Sequence, residues 1–131
     1  MKKENVEYLL HLNSEQAREV LKAVELLMRL KINQPENLPY NLLDLSEKDY
    51  CEKRDEAEPL LRSAFNIMYR GKRSEEWKDA EWYRLYNLYQ VLRKVLHDVE
   101  NPSSTGVDSY PPICLTDEPL PVCEVTAKKQ A

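Results

Sequence analysis

The side chains best suited to chemistry share one flank of a predicted helix in the second half of the chain. Beside a leucine stripe at 100° per residue lie Trp82, Tyr86, Tyr89 and Arg93, with Gln90 and His97 at the outer edge. Aromatic rings with a guanidinium can stack on a planar ligand or grip a partner protein. The pattern predicts a ligand- or partner-binding surface. The alternative is that these residues form the wide rim of the core, with their hydroxyls facing solvent.

A short basic loop is the second candidate site. Arg70, Lys72 and Arg73 are grouped around Gly71, just ahead of a predicted helix N-terminus. Three cations in that position could hold a phosphate or an acidic patch on a protein. The alternative is a solvated connector that carries favourable charge.

Enzymatic chemistry is not predicted. The sequence contains no nucleophile elbow, no phosphate-binding glycine loop and no metal-ligand pair. His97 could act as a base, but a single histidine does not make a catalytic centre. The cysteines are widely spaced and include no C-x-x-C pair, so we expect reduced thiols without a metal: Cys51, Cys114 and Cys123. We therefore predict no cofactor and no metal.

Composition narrows the class of partner. The net charge of -4 does not favour a nucleic-acid binder, because phosphate neutralisation normally supplies much of the affinity for nucleic acid. No stretch approaches the roughly 20 apolar residues of a membrane span. The N-terminus is too charged for a signal peptide, so we expect a cytoplasmic protein. Only 2 glycines are present, which argues against a hairpin-based β fold.

The spacing of apolar residues predicts a mainly α fold with a three-helix core. The first helix has Asn13 as its N-cap and ends near residues 32–33. The second begins with Pro59 at its first position and stops at Gly71. The third is capped by Ser74, runs through the leucine stripe that starts at Trp77, and closes at residues 101–102.

Segments outside these helices are less regular. Residues 5–12 could form a short strand or a lead-in to the first helix, and residues 47–58 a solvated helix or an ordered loop. Five of the 8 prolines lie between residues 102 and 121, interleaved with apolar residues. We therefore predict a helical domain at residues 1–101 and an extended Pro-rich arm at residues 102–131, packed on the same domain and frayed at its end.

Three segments resemble small proteins encoded by tailed bacteriophages and prophages. They are residues 12–34 (LNSEQAREVLKAVELLMRLKINQ), residues 86–93 (YNLYQVLR) with the following His97 and Asn101-Pro102, and the tail pieces at residues 110–113 (YPPI) and 117–121 (DEPLP). Asn33 stands where the family pattern has a glycine before Gln34, which is a departure at a tight turn. The resemblance implies a phage or prophage origin and a host-cytoplasmic setting, but no activity.

These observations together lead to two functional hypotheses. The first is a phage-encoded, non-catalytic binding protein, oligomeric, that acts on a host macromolecule as a host-takeover or anti-defence factor. The second is an oligomeric sponge that buries a nucleotide-type signalling molecule between subunits. In the sponge, Tyr89, Arg93 and the basic loop would supply stacking and charge.

Overall fold

The computed structural model describes residues 6–126 and is mainly helical, as predicted. Its helices are α1 (Ser14–Lys31), α2 (Asn37–Leu42), α3 (Tyr50–Met68), α4 (Ser74–Trp77) and α5 (Ala80–Glu100), followed by a 3₁₀ turn, Val107–Ser109. Residues 6–12 form neither helix nor strand. The first residues of the predicted helical domain, 1–5, and the predicted frayed end, 127–131, lie outside the described residues.

Helix α1 has the predicted start and a well-defined stop. The Asn13 side chain accepts from the Gln16 backbone N–H at 2.8 Å, and the Gln16 side chain accepts from the Asn13 N–H at 3.0 Å. This reciprocal capping box confirms Asn13 as the N-cap. At the other end, Asn33 has φ 63°, so asparagine takes the left-handed position that glycine usually fills. The N–H of Gln34 then bonds the carbonyl of Arg29 at 3.0 Å, which completes the turn.

Helix α3 begins earlier than predicted. Pro59 was expected at its first position, but the helix starts at Tyr50 and Pro59 lies inside it. The charged run before Pro59 is therefore a solvated helix, supported by the Lys53–Asp49 ion pair one turn apart at 3.2 Å. Pro59 cannot donate to the carbonyl of Asp55, but both residues are exposed, so water can reach that carbonyl.

Helix α5 begins later than predicted. Ser74 was expected to cap it, but Ser74 opens the separate four-residue helix α4, and Asp79 is the N-cap of α5. The Asp79 carboxylate accepts from the backbone N–H of Trp82 at 2.9 Å. Trp77 consequently belongs to α4 and not to the leucine stripe. Asp and Ser are comparable N-cap residues, so the hydrogen bond from the Trp82 N–H to Asp79, and not a difference in preference, marks the start of α5.

Helices α1 and α5 make the largest contact between elements. Lys31 at the end of α1 pairs with Asp79 at 3.1 Å and with Glu81 at 3.5 Å, which joins that end to the start of α5. Buried large hydrophobic side chains are few within the described chain: Met28, Phe65, Trp82 and Val91. Helix α3 packs mainly against α2 and, through its last turn, against the end of α1. The core is therefore thin.

Removing the cap of α5 should destabilise the protein measurably. Because Asp79→Ala deletes the acceptor for the Trp82 N–H and the partner of Lys31, we expect a loss of about 1 kcal/mol in unfolding free energy. Asp79→Asn keeps an oxygen acceptor and should lose less. Urea denaturation of the two variants compares the losses, and equal losses would contradict the capping role.

The same residue predicts a dependence of stability on pH. The Trp82 N–H, and to a lesser degree the Lys31 ammonium, hold the pKa of Asp79 below its ordinary value. A carboxyl whose pKa is lower in the folded state stabilises the fold above its unfolded pKa of about 3.9, and this contribution disappears as the pH falls through the folded value. Wild-type protein should therefore lose more stability than Asp79→Asn between about pH 5 and pH 2, measured by denaturation across that range.

Candidate binding surfaces

The aromatic residues predicted on α5 form a continuous row of rings, which we call the aromatic stack, although its last ring is tilted by 33°. The rings of Trp82 and Tyr86 lie 5.2 Å apart at an interplanar angle of 9°, and Tyr86 and Tyr89 follow at 6.5 Å. A cation stands at each end. Lys78 Nζ lies 4.8 Å from the Trp82 ring centroid, and Arg93 Cζ lies 5.0 Å from that of Tyr89. Cation–π attraction at both ends favours one arrangement of the whole stack.

Burial divides this stack into an inner and an outer part. Trp82 is buried, and its indole Nε1 has no hydrogen-bond partner among the described residues. Tyr86, Tyr89 and Arg93 are half-buried. Only the outer three can therefore contact another molecule without a rearrangement of the core.

The remaining two residues of the predicted flank, Gln90 and His97, are buried and already bonded. The Gln90 side-chain amide donates to the carbonyl of Ile113 at 2.9 Å and accepts from its N–H at 2.8 Å. The His97 Nε2 lies 2.8 Å from the hydroxyl of Ser104. Both side chains hold the following segment of the chain, so they do not form an open surface.

These contacts belong to a series that runs the length of α5. Residues of one helical face bind successive positions of the segment that follows the helix, in antiparallel order. The pairs are His97–Ser104, Arg93–Asp108, Gln90–Ile113, Asn87–Thr116 and Arg84–Glu118. We call residues 104–118 the strap. Since its residues lie antiparallel to the helix, each turn of α5 fixes one point of the strap.

The centre of this series was missed by reasoning from the sequence. Asn87 and Gln90 are each only 3% exposed, which makes them more buried than the apolar core residues Trp82 and Val91. A buried amide is costly unless it is hydrogen-bonded. Two amides three residues apart within a leucine-rich helix were the available signal, because that spacing puts both on one face.

A cleft of about 270 Å³ lies between α1 and α5 and includes the outer end of the aromatic stack. Tyr89 and Arg93 line it from α5, and Arg18 and Glu25 from α1. The Arg93 Nε is buried and makes no hydrogen bond within the described chain, since the Asp108 carboxylate is 3.8 Å away. Arg93 is thus a cation that is stacked on a ring but incompletely paired.

The basic loop lies between α3 and α4 and is exposed. Gly71 has φ 79°, which allows the tight turn there. Lys72 Nζ lies 5.9 Å from the Tyr69 ring, and Arg73 pairs with Glu76 at 3.7 Å. The helix that follows has only four residues, so it adds little dipole to an anion site.

A second cleft, of about 320 Å³, lies beside this loop. Tyr69 and Trp77 form an edge-to-face pair in its wall with ring centroids 5.5 Å apart, and Lys31 and Lys72 also line it. Partial burial favours the neutral amine of Lys31, but Asp79 and Glu81 outweigh it and raise the pKa of Lys31 above its ordinary value. The cleft therefore keeps a permanent cation near two aromatic rings. Lys72 and Arg93 line different clefts.

Residues 6–126 contain neither a candidate metal site nor a helix able to span a membrane. No group of three or more His, Cys, Asp or Glu side chains there could hold a metal ion, and Cys51, Cys114 and Cys123 are free and exposed. None of the helices in that stretch is sufficiently long and apolar to span a bilayer. No protein-family model, curated protein or solved structure matches this chain.

The strap should depend on its central amide pair. Gln90→Ala removes two hydrogen bonds to Ile113 in a buried setting, so we expect a loss of about 1–3 kcal/mol in unfolding free energy. Hydrogen exchange should become faster at the Ile113 amide. Arg84→Ala is the matched control because its pair with Glu118 is exposed, and we expect it to cost less than about 1 kcal/mol. Similar small losses in both variants would contradict the role of Gln90.

Proposed function

We propose that this protein is a non-catalytic binding protein that acts by covering part of another macromolecule. The observation that supports this most directly is the amount of apolar surface left open. Few large apolar side chains are buried, whereas many are well exposed, among them Tyr8 at 92% and Leu9 at 86%. Contiguous exposed apolar patches on a folded protein typically mark contact sites with other molecules.

The outer end of the aromatic stack is the best contact point for a partner. Tyr89 and Arg93 are half-buried, stacked on one another and face a cleft, which is the setting in which such residues dominate binding energy. The incompletely paired guanidinium of Arg93 favours a carboxylate, and the ring beside it favours an apolar neighbour. An acidic side chain flanked by apolar residues on a protein partner fits both requirements.

The resemblance to phage proteins supplies the proposed setting. In that setting the partner is a macromolecule of the bacterial host, met in the host cytoplasm, and the protein serves host takeover or the suppression of a defence. The net charge of -4 makes a protein a better candidate than a nucleic acid.

Two arginines on α5 allow a matched test of this surface. We expect Arg93→Ala to deplete at least one host protein that co-purifies with the wild-type chain, by about tenfold or more. Arg84→Ala removes an equal charge from the same helix outside the cleft and should keep that protein. Quantitative mass spectrometry of affinity-purified samples from host lysate compares the three. Equal recovery with both variants would remove this surface from the proposal.

The alternative function, a sponge for a nucleotide-type signal, is favoured by one observation. The cleft beside the basic loop combines the Tyr69–Trp77 ring pair with Lys31 and Lys72. Rings and cations are what a base and a phosphate need. Tyr89 and Arg93 line the other cleft. In this sponge the cation predicted to bind the phosphate is therefore Lys72 and not Arg93.

Thermal denaturation with cyclic nucleotides and dinucleotides tests the sponge. A true ligand at about 100 times its Kd adds about 2.7 kcal/mol to the stability of the folded state and raises the melting temperature. Lys72→Ala should abolish the rise, while Arg73→Ala, which lies outside the cleft lining, should keep it. An unchanged melting temperature across the panel would count against this function.

A further inference from the structure

Helix α3 carries an apolar stripe that nothing in the described chain covers. Leu60, Ala64, Ile67 and Met68 follow one another at helical spacing and are all exposed, with Leu60 at 70% and Ile67 at 62%. We call these four residues the α3 stripe. Along the helix axis they span about 12 Å.

The opposite part of α3 already anchors the helix to the protomer. Phe65 is buried, and Arg62 donates to the side chain of Asn33 at 2.9 Å and pairs with Glu36. The hydroxyl of Tyr69, just beyond the helix, donates to the carbonyls of Leu30 and Lys31. Because these contacts fix α3, its stripe is not needed for the fold and is available for a second molecule.

Charges at the two ends of α3 are opposite in sign. Glu52 and Glu56 are exposed in its first half, and Arg70 and Lys72 are exposed just after its end. None of these four has an ion-pair partner within residues 6–126. Glu56 and Arg70 lie about 21 Å apart along the chain axis, so they cannot pair within one protomer.

We infer that the α3 stripe is covered by the α3 stripe of a second copy of this chain, in antiparallel orientation. In a two-fold contact, residue i of one copy meets residue j of the other, and j meets i. With Ala64 near the axis, Leu60 of each copy lies opposite Ile67 or Met68 of its partner. The same register places Glu56 opposite Arg70 and Lys72. One arrangement therefore joins the apolar residues and pairs the opposite charges.

This inference deepens the proposed function, since it assigns one of the open apolar faces to a second copy and leaves the α1–α5 cleft for a different partner. The two can fail separately. A monomeric chain that still loses its host partner on Arg93→Ala would keep the function and remove the dimer. A dimer that binds no host partner would keep the dimer and remove the proposed function.

Sedimentation equilibrium of the full chain at several concentrations is the test. We expect a dimer that dissociates on dilution, and Ile67→Glu should weaken it by about tenfold or more because it places a charge opposite the apolar Leu60 of the partner. Val99→Glu is the control, since Val99 is an exposed apolar residue on α5 away from the stripe. Circular dichroism checks that each variant keeps the wild-type helix content.

A charge exchange tests the orientation. At low salt, Glu56→Lys and Arg70→Glu should each weaken the dimer about threefold to tenfold, and the double variant should restore it. A wild-type chain that is monomeric at every concentration overturns the inference and leaves the stripe for an unrelated protein. A dimer that tolerates Ile67→Glu also overturns it. A double variant weaker than both single variants overturns the antiparallel register.

Discussion

The contact between α1 and α5 is the interaction on which the rest of this structure depends. Helix α5 carries the aromatic stack on one flank and the residues that bind the strap on a neighbouring face, while the end of α1 receives the Tyr69 hydroxyl that fixes α3. The Lys31–Asp79 ion pair joins the end of α1, where Tyr69 is bound, to the start of α5, where the aromatic stack begins. Because few apolar side chains are buried, the fold also depends on the hydrogen bonds that the buried amides Asn87 and Gln90 make to the strap.

Local chemistry explains which parts of the fold could be predicted from the sequence. The capping box of Asn13 involves residues three apart, so its signal is complete within the sequence, and α1 was predicted at its start. The predicted starts of α3 and α5 were wrong because each prediction depended on a choice between competing local signals. Pro59 is favourable at a helix start yet is tolerated here inside an exposed helix, and Asp79 competes with Ser74 for the role of cap.

The candidate site shows where such reasoning stops. The helical spacing of Trp82, Tyr86 and Tyr89 predicted that the rings are neighbours, and they are: Trp82 and Tyr86 stack, and Tyr89 lies tilted beside Tyr86. The same spacing could not show that Gln90 bonds a residue 23 positions away, because nothing in the sequence near Gln90 specifies Ile113 as its partner. A polar residue that faces solvent and a polar residue that is buried against another segment recur with the same helical periodicity. Only the path of the strap distinguishes them.

The Lys31–Asp79 junction has a further consequence for how the chain tolerates change. It closes a loop of 48 residues that contains α2, α3 and α4. The entropy of closing a loop grows only with the logarithm of its length, so doubling that length would cost about 0.6 kcal/mol. The exposed connection between α2 and α3 can therefore evolve by insertion or deletion almost independently of the central helix pair. Variation in length should concentrate there, while the spacing between α5 and its strap stays constant.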